Sequence, residues 1–337
     1  MNTPRDLDDG VRRARRSGGT AVEARGITGR GVEQQRIQGN SPGDAVGRIR
    51  GVFADAGCSG WLHARRCDDS GAEVCVNGRD RVVLASVYKL VLLVAFCRQV
   101  DDGTIDPSAR LTIDPSECTP GPTGLAALHD PVTLSRRDLA TSMMTVSDNA
   151  AADVLLGEVG LAAVTELVDE LGLTETRVLG GTADQHRSLV RDTDTHSTAE
   201  AFAALADNDE AWTVAAYDPS YASATTPEEM TRLLRRLWTG HVLSTASGEF
   251  VRSVMGRQIW PHRIAAGFPH QGVLVAGKTG TIGVIRNEVA VVEFPDETPV
   301  AVAVFTRAAR ADPTLPVVDA AIGEAARIAV TELRRPR

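Results

Sequence analysis

Ser86-Val87-Tyr88-Lys89 sets a hydroxyl and an amine three positions apart at the head of a strongly apolar segment, a spacing that puts both on one face of a helix. A serine hydroxyl is a weak nucleophile until a base takes its proton, and an amine buried among apolar groups near another cation can have its pKa lowered enough to serve. The first amides of the helix would favour the negative charge that develops on attack. The same serine is equally compatible with a helix N-cap. Lysine usage sharpens the chemical reading: Lys89 and Lys278 are the two lysines of a chain whose other 34 basic residues are arginine. A guanidinium keeps its proton near neutral pH, whereas a buried ammonium can lose one, so retained lysines are candidates for proton handling or a compact charge.

Two further segments carry polar groups of the same kind. Ser147-Asp148-Asn149 lies between one helical stretch ending Met143-Met144-Thr145-Val146 and another beginning Ala150-Ala151-Ala152, where an N-cap turn is the plain alternative. Lys278-Thr279-Gly280-Thr281 is expected at the end of a strand running from Val273 to Ala276, where a glycine kink is the plain alternative. In this order the three match the S-x-x-K, S-D-N and K-T-G set of penicillin-recognising enzymes.

From about Asp44 to the C-terminus the chain resembles a class A serine β-lactamase. Besides the three motifs, the resemblance is carried by Met144 to Ala152, by Thr225-Thr226-Pro227-Glu228-Glu229-Met230, and by Arg263-Ile264-Ala265-Ala266-Gly267-Phe268-Pro269. It implies that Ser86 forms the acyl-enzyme, that Lys89 relays or accepts its proton, and that Ser147, assisted by Lys278, passes a proton to the leaving nitrogen. Asn149 would hold the substrate amide and Lys89, and the backbone amides of Ser86 and Thr281 would form the oxyanion hole. Thr279, Gly280, Thr281 and Lys278 would bind a substrate carboxylate, completed by Arg263, with Arg286 as its rival. The family's E-x-x-L-N segment, whose glutamate activates the deacylating water, is not found. Spacing back from Pro227 puts Glu210 at the glutamate's place, but Thr213 and Val214 replace Leu and Asn, and Asn208 and Ser223 occupy the bracing Arg and Asp positions. Acylation and deacylation have separate needs. Three functions therefore stay open: a hydrolase opening a β-lactam or related amide or ester, a transacylase passing the acyl group to an amine or alcohol, and a covalent β-lactam sensor.

The elements that must position these residues read as an α/β fold of the α+β two-lobe kind, an antiparallel sheet flanked by terminal helices plus an all-helical lobe. Residues 1–44, rich in Arg, Gly and acidic residues, read as a disordered arm, and residues 45–337 as the catalytic domain. The sheet lobe is expected over about 45–85 and 260–337, the helical lobe over about 86–259. Helices are predicted at Asp44 to Ala56, Val87 to Val100, Ser135 to Met144, Asn149 to Glu158, Leu161 to Leu171, Pro227 to Trp238, Thr245 to Met255 and Val317 to Leu333. Strands are predicted at Gly60 to Arg65, Glu73 to Val76, Val82 to Ala85, Val273 to Ala276, Glu288 to Glu293 and Val300 to Thr306.

Composition narrows the partners. With 337 residues and 43% apolar content the chain can bury a full-sized core. A net charge of -8 argues against nucleic acid, which needs a basic surface, and favours a small-molecule acyl donor. Cys58, Cys67, Cys75, Cys97 and Cys118 show no metal-ligand spacing and read as free, mostly buried thiols. No metal or organic cofactor is implied. Arg12-Arg13 and Arg15-Arg16 are followed by no apolar stretch, and the longest apolar run, Val82 to Phe96, is too short to span a bilayer, so a cytoplasmic protein without membrane contact is expected.

Overall fold

The computed structural model describes residues 44–206 and 214–335, so the expected arm up to residue 43 and Glu210 lie outside the described residues. The chain enters through α1 (Ala45–Asp55), β1 (Cys58–Arg66), β2 (Glu73–Val76) and the short β3 (Val82–Val83), then a 3₁₀ turn, Ala85–Val87. Next come α2 (Tyr88–Asp101), β4 (Arg110–Ile113), β5 (Val132–Ser135), α3 (Arg136–Thr145), α4 (Asn149–Val159) and α5 (Leu161–Glu170). They are followed by α6 (Thr182–Asp192), α7 (Thr198–Ala206), β6 (Ala224–Thr225), α8 (Pro227–Trp238) and α9 (Thr245–Gly256). The chain returns through β7 (Leu274–Ile282), β8 (Ile285–Glu293) and β9 (Val300–Ala308) and closes with α10 (Pro316–Leu333).

β9 and β8 are buried along almost their whole length because the sheet is covered on both faces. The sheet runs β2-β1-β9-β8-β7, every pairing antiparallel. α1 and α10 pack on one face, around Ile49, Phe53, Ile322 and Val330. α8 and α9 pack on the other, where the core continues into the helices around α2. From Tyr88 to Cys97 every residue of α2 is buried, which is why its sequence is apolar on all sides. α8 is fixed at its start by Pro227 in the first turn and by the Thr226 hydroxyl, which accepts from the Glu229 amide at 3.2 Å.

β7 is an edge strand, and its free edge faces the helical part of the molecule. Lys278, Thr279 and Gly280 lie inside it rather than at its end, because the strand runs on through Thr281 to pair with Arg286 and Ile285 of β8. The segment predicted as a strand from Val82 to Ala85 is strand only at Val82–Val83, and it pairs with β6 instead of joining the main sheet. The helical region also holds the β4–β5 pair. All five cysteines are free, but burial is confined to Cys67 and Cys97; Cys75 is exposed because β2 turns Val74 and Val76 inward and Cys75 outward.

Candidate active site

Ser86 sits in the 3₁₀ turn between β3 and α2, directly after Ala85, which holds a left-handed backbone at φ 46°. A non-glycine residue there is strained and persists only where its surroundings fix it. They do: the Leu84 amide donates to Ser223 O at 2.9 Å, and the buried Asn287 of β8 donates from Nδ2 to Val83 O at 2.8 Å and Leu84 O at 3.3 Å. Gly280 lets β7 press against the same turn. A Cβ added there would lie 2.8 Å from Leu84 O and 3.2 Å from the Val87 amide nitrogen. The close approach puts the exposed Thr281 and its amide beside the Ser86 turn, at the place of the expected oxyanion site.

One turn into α2, the Lys89 side chain is fully buried, and its Nζ donates to Ser147 O at 2.7 Å, Asp148 O at 3.2 Å and Asn149 Oδ1 at 2.9 Å. Burial pulls its pKa from 10.5 down to about 7, against the opposing charges of Asp148 and Asp153. Near neutrality the amine therefore exists in both protonation states, as a group that passes protons must. Ser147 is held at φ 60° in the turn between α3 and α4. The buried Asp148 builds that turn by accepting from the amides of Ala151 and Leu125 and from Ser142 Oγ. Asn149 is stretched between Lys89 and Pro120 O, to which its Nδ2 donates at 3.0 Å.

Lys278 closes the constellation from β7. Its Nζ donates to Ser147 Oγ at 2.9 Å and to Thr279 O at 2.8 Å. Burial first, then the charges of Lys89 and Arg263, hold its pKa well below the ordinary lysine value, with Glu288 opposing. The structure thus brings Ser86, Lys89, Ser147, Asn149 and Lys278 together around one cleft, with β7 as its wall.

Arg263 lies beneath that wall, almost wholly buried. Its Nε donates to Asp319 Oδ1 at 2.7 Å, Nη1 to Gly280 O at 2.9 Å and Asn287 O at 2.7 Å, and Nη2 to Thr281 Oγ1 at 2.7 Å. Arg286 instead turns Nη2 to the carbonyls of Asp312 and Pro313. Of the two, Arg263 is the one that reaches a threonine expected at the carboxylate site, Thr281. Thr279 gives both its amide and its hydroxyl to Gln258 Oε1, at 2.6 and 3.0 Å, and Gln258 Nε2 donates to Glu288 Oε1 at 2.9 Å. Burial raises Glu288 from 4.5 to about 7 despite the Ile264 amide and Arg263.

The cleft, about 900 Å³, runs from Pro120–Thr123 and α6–α7 past Ser86 to Arg286 and the loop at 311–316. Sequence reasoning missed two groups on this wall and behind it. Asn287 and Glu288 interrupt the apolar pattern of β8, and polar residues inside a strand run are the signal that could have flagged them, whereas Gln258, just past α9, carries no such signal. Thr182, Gln185 and His186 come from α6, whose polar sequence shows no apolar period. Among the described residues no group of three or more His, Cys, Asp or Glu side chains could hold a metal ion, and no helix is long and apolar enough to cross a membrane.

This geometry and the sheet behind it define an active-site-serine hydrolase of the β-lactamase type. The chain belongs to the beta-lactamase enzyme family, whose model matches residues 45–333. Among curated relatives it is similar to the beta-lactamase regulatory protein BlaB of Streptomyces cacaoi, 26% identical over 294 residues, 83% of this chain and 94% of that protein. It is 28% identical over 271 residues, 78% of this chain and 80% of the relative, to the carbapenem-hydrolyzing beta-lactamase KPC of Klebsiella oxytoca. The fold is shared with an ancestral class A beta-lactamase at TM-score 0.68 and 24% identity, covering 85% of this chain and 99% of that one. It is also shared with the structure of PBP-A at TM-score 0.68 and 22% identity, covering 85% and 94%.

Proposed function

We propose that Ser86 attacks the carbonyl of a β-lactam or related amide or ester and carries the acyl group as an ester. The observation that supports this best is the bonded chain Asn149–Lys89–Ser147–Lys278, in which two fully buried lysines with lowered pKa values converge on the turn facing Ser86. Neutral Lys89 takes the Ser86 proton, the amides of Ser86 and Thr281 receive the oxyanion, and Ser147 Oγ, held by Lys278, hands a proton to the leaving nitrogen. Thr279, Thr281 and Arg263 receive the substrate carboxylate at the far side of β7, and the second hydrogen of Asn149 Nδ2 meets the substrate amide. The acceptor of the acyl group is water.

A second reading is favoured by one observation: the Streptomyces cacaoi relative is named a regulatory protein. In that reading the acyl-enzyme persists and reports a β-lactam. Stopped-flow measurement with a chromogenic β-lactam separates the possibilities. Steady turnover after the burst supports the hydrolase, a stoichiometric burst that stops supports the sensor, and acceleration by added amines or alcohols supports transacylation. The absence of both a burst and any turnover would contradict an acyl-enzyme.

A further inference from the structure

Release of the acyl group requires a base for water, and a role in that step rests on the acyl-enzyme proposed for Ser86. α6 presents Thr182 and His186, four residues apart and so on one helical face, to the cleft that also contains Ser86; Gln185 lines it beside them. The helix is fixed in place from two sides. Asp153 of α4 accepts the amides of Thr182 at 2.7 Å and Ala183 at 2.9 Å, and the Thr182 hydroxyl bonds the buried Tyr88 hydroxyl at 3.0 Å, on the helix that succeeds Ser86. The His186 ring stands edge-on to Phe202 of α7 with centroids 5.9 Å apart. Two atoms on this wall are left over: His186 Nδ1 and Gln185 Nε2 are buried and have no hydrogen-bond partner among the described residues. Buried polar atoms of this kind are ordinarily satisfied by water or by a ligand.

The acidic residues on the described wall, Asp312 and Asp319, belong to the other end of the cleft, beside Arg286 and Arg263. Burial, and secondarily the charge of Lys89, lower the His186 pKa below 6.5, with Asp153 opposing. The imidazole is neutral at pH 7, the form that accepts a proton. The other elements packed on α6 bring few titratable groups: α7 carries Glu200, turned back onto the His196 amide, and the 3₁₀ turn at 215–217 carries the buried Tyr217. On α6 itself Asp184 is engaged by the Gly181 amide and Arg187.

We propose that His186 is the general base of deacylation, drawing a proton from the water that attacks the Ser86 ester. The water oxygen bonds to the acyl carbon as one of its protons passes to the imidazole. Collapse of the tetrahedral adduct breaks the bond between that carbon and Ser86 Oγ, whose electron pair stays on oxygen and takes the proton back from the imidazolium. Water has then been added across the ester, and both residues are restored.

The test combines intact-mass and stopped-flow measurements on the full chain with a chromogenic β-lactam, for the wild type and for His186→Ala, His186→Gln and Glu210→Gln. The expected result is a wild-type deacylation rate that rises with pH to a plateau, through a midpoint lower than that of a free imidazole. In both His186 variants the acylation burst is retained, deacylation is slowed by ~100-fold or more, the Ser86 adduct accumulates and the pH limb is lost. Imidazole in solution partly restores the rate of His186→Ala, which a merely structural defect would not allow, and Glu210→Gln behaves as wild type. Deacylation within threefold of wild type in both His186 variants overturns the proposal, as does its loss in Glu210→Gln alone. A wild-type adduct that never turns over overturns it too while leaving Ser86 acylation standing. The absence of any adduct in the wild type and in both His186 variants instead refutes the acyl-enzyme reading on which the proposal rests.

Discussion

Replacing Lys89 by arginine keeps a cation at the base of the cleft and removes its ability to give up a proton. With its pKa drawn down to about 7, about half of Lys89 is neutral at pH 7. A lysine left at its ordinary 10.5 would be neutral in roughly one molecule in 3000, so burial enlarges the supply of base by ~10³. An arginine offers less base than even that exposed lysine, because its pKa lies above 12. General-base contributions span ~10² to 10⁴, so Lys89→Arg is expected to slow acylation by ~10³. The assay is single-turnover acylation by a chromogenic β-lactam between pH 5 and 9. The wild-type rate should climb through pH 7 to a plateau, and the variant should be slow at every pH. A guanidinium is also bulkier than the fully buried ammonium it replaces, so Lys89→Met serves as the second variant. It leaves Ser147 O, Asp148 O and Asn149 Oδ1 without their donor but relieves the buried charge. A buried base with a lowered pKa makes the native state bind fewer protons than the unfolded chain between pH 7 and 10.5, so its contribution to stability rises with pH across that window. The total is on the order of 5 kcal/mol, and Lys89→Met should flatten that rise in denaturant titrations. Acylation by either variant within tenfold of wild type would refute the reasoning.

Other positions give independent checks. Gly280→Ala forces a methyl group against Leu84 O and the Val87 amide, so acylation should fall together with a drop in Tm of several degrees; an unchanged rate would mean that β7 does not abut the nucleophile turn. Lys278→Met removes the 2.9 Å donor to Ser147 Oγ and should slow acylation by ~10² in the same stopped-flow assay, whereas a wild-type rate would remove Ser147 and Lys278 from proton delivery. Glu288 holds its proton in the folded state up to about pH 7, while in the unfolded chain it loses it near 4.5. The native state therefore binds more protons in that window, and stability falls by ~3 kcal/mol as pH rises through it. Glu288→Gln should abolish that fall in urea titrations at pH 5 and pH 8, and parallel curves for the two proteins would contradict the assignment.

The candidate site residues were legible because their types leave little choice. Two lysines in an arginine-rich chain, each inside a short motif, mark Ser86, Lys89, Ser147, Asn149 and Lys278; Ser86, Ser147 and Asn149 line one cleft, and the buried Lys89 and Lys278 bond to its Ser147 and Asn149. Elements with a strong physical signature were also readable: α2 from an apolar run interrupted by Lys89, β2 at both ends, and α8 from Thr226 and Pro227. What escaped is held by side chains rather than by pattern. β7 continues through Lys278-Thr279-Gly280-Thr281 because Gln258, the buried Arg263 and Ser147 satisfy those polar groups, a condition set by distant parts of the chain. α6 reads as loop because its anchors are the carboxylates of Asp153 and Asp184 in place of an apolar face. The 3₁₀ turn at Ser86 reads as the end of a strand because Val82 to Ala85 is uniformly apolar, although β6 pairs with only its first two residues.

The hydroxyl of Ser86 carries the acyl group in the chemistry proposed for this cleft, and mass spectrometry of the protein after brief exposure to a penicillin tests that most directly. The expected result is a single added acyl mass, mapped by proteolysis to the peptide containing Ser86 and missing in Ser86→Ala. An adduct that persists in Ser86→Ala, or one that maps to any other residue, would contradict it.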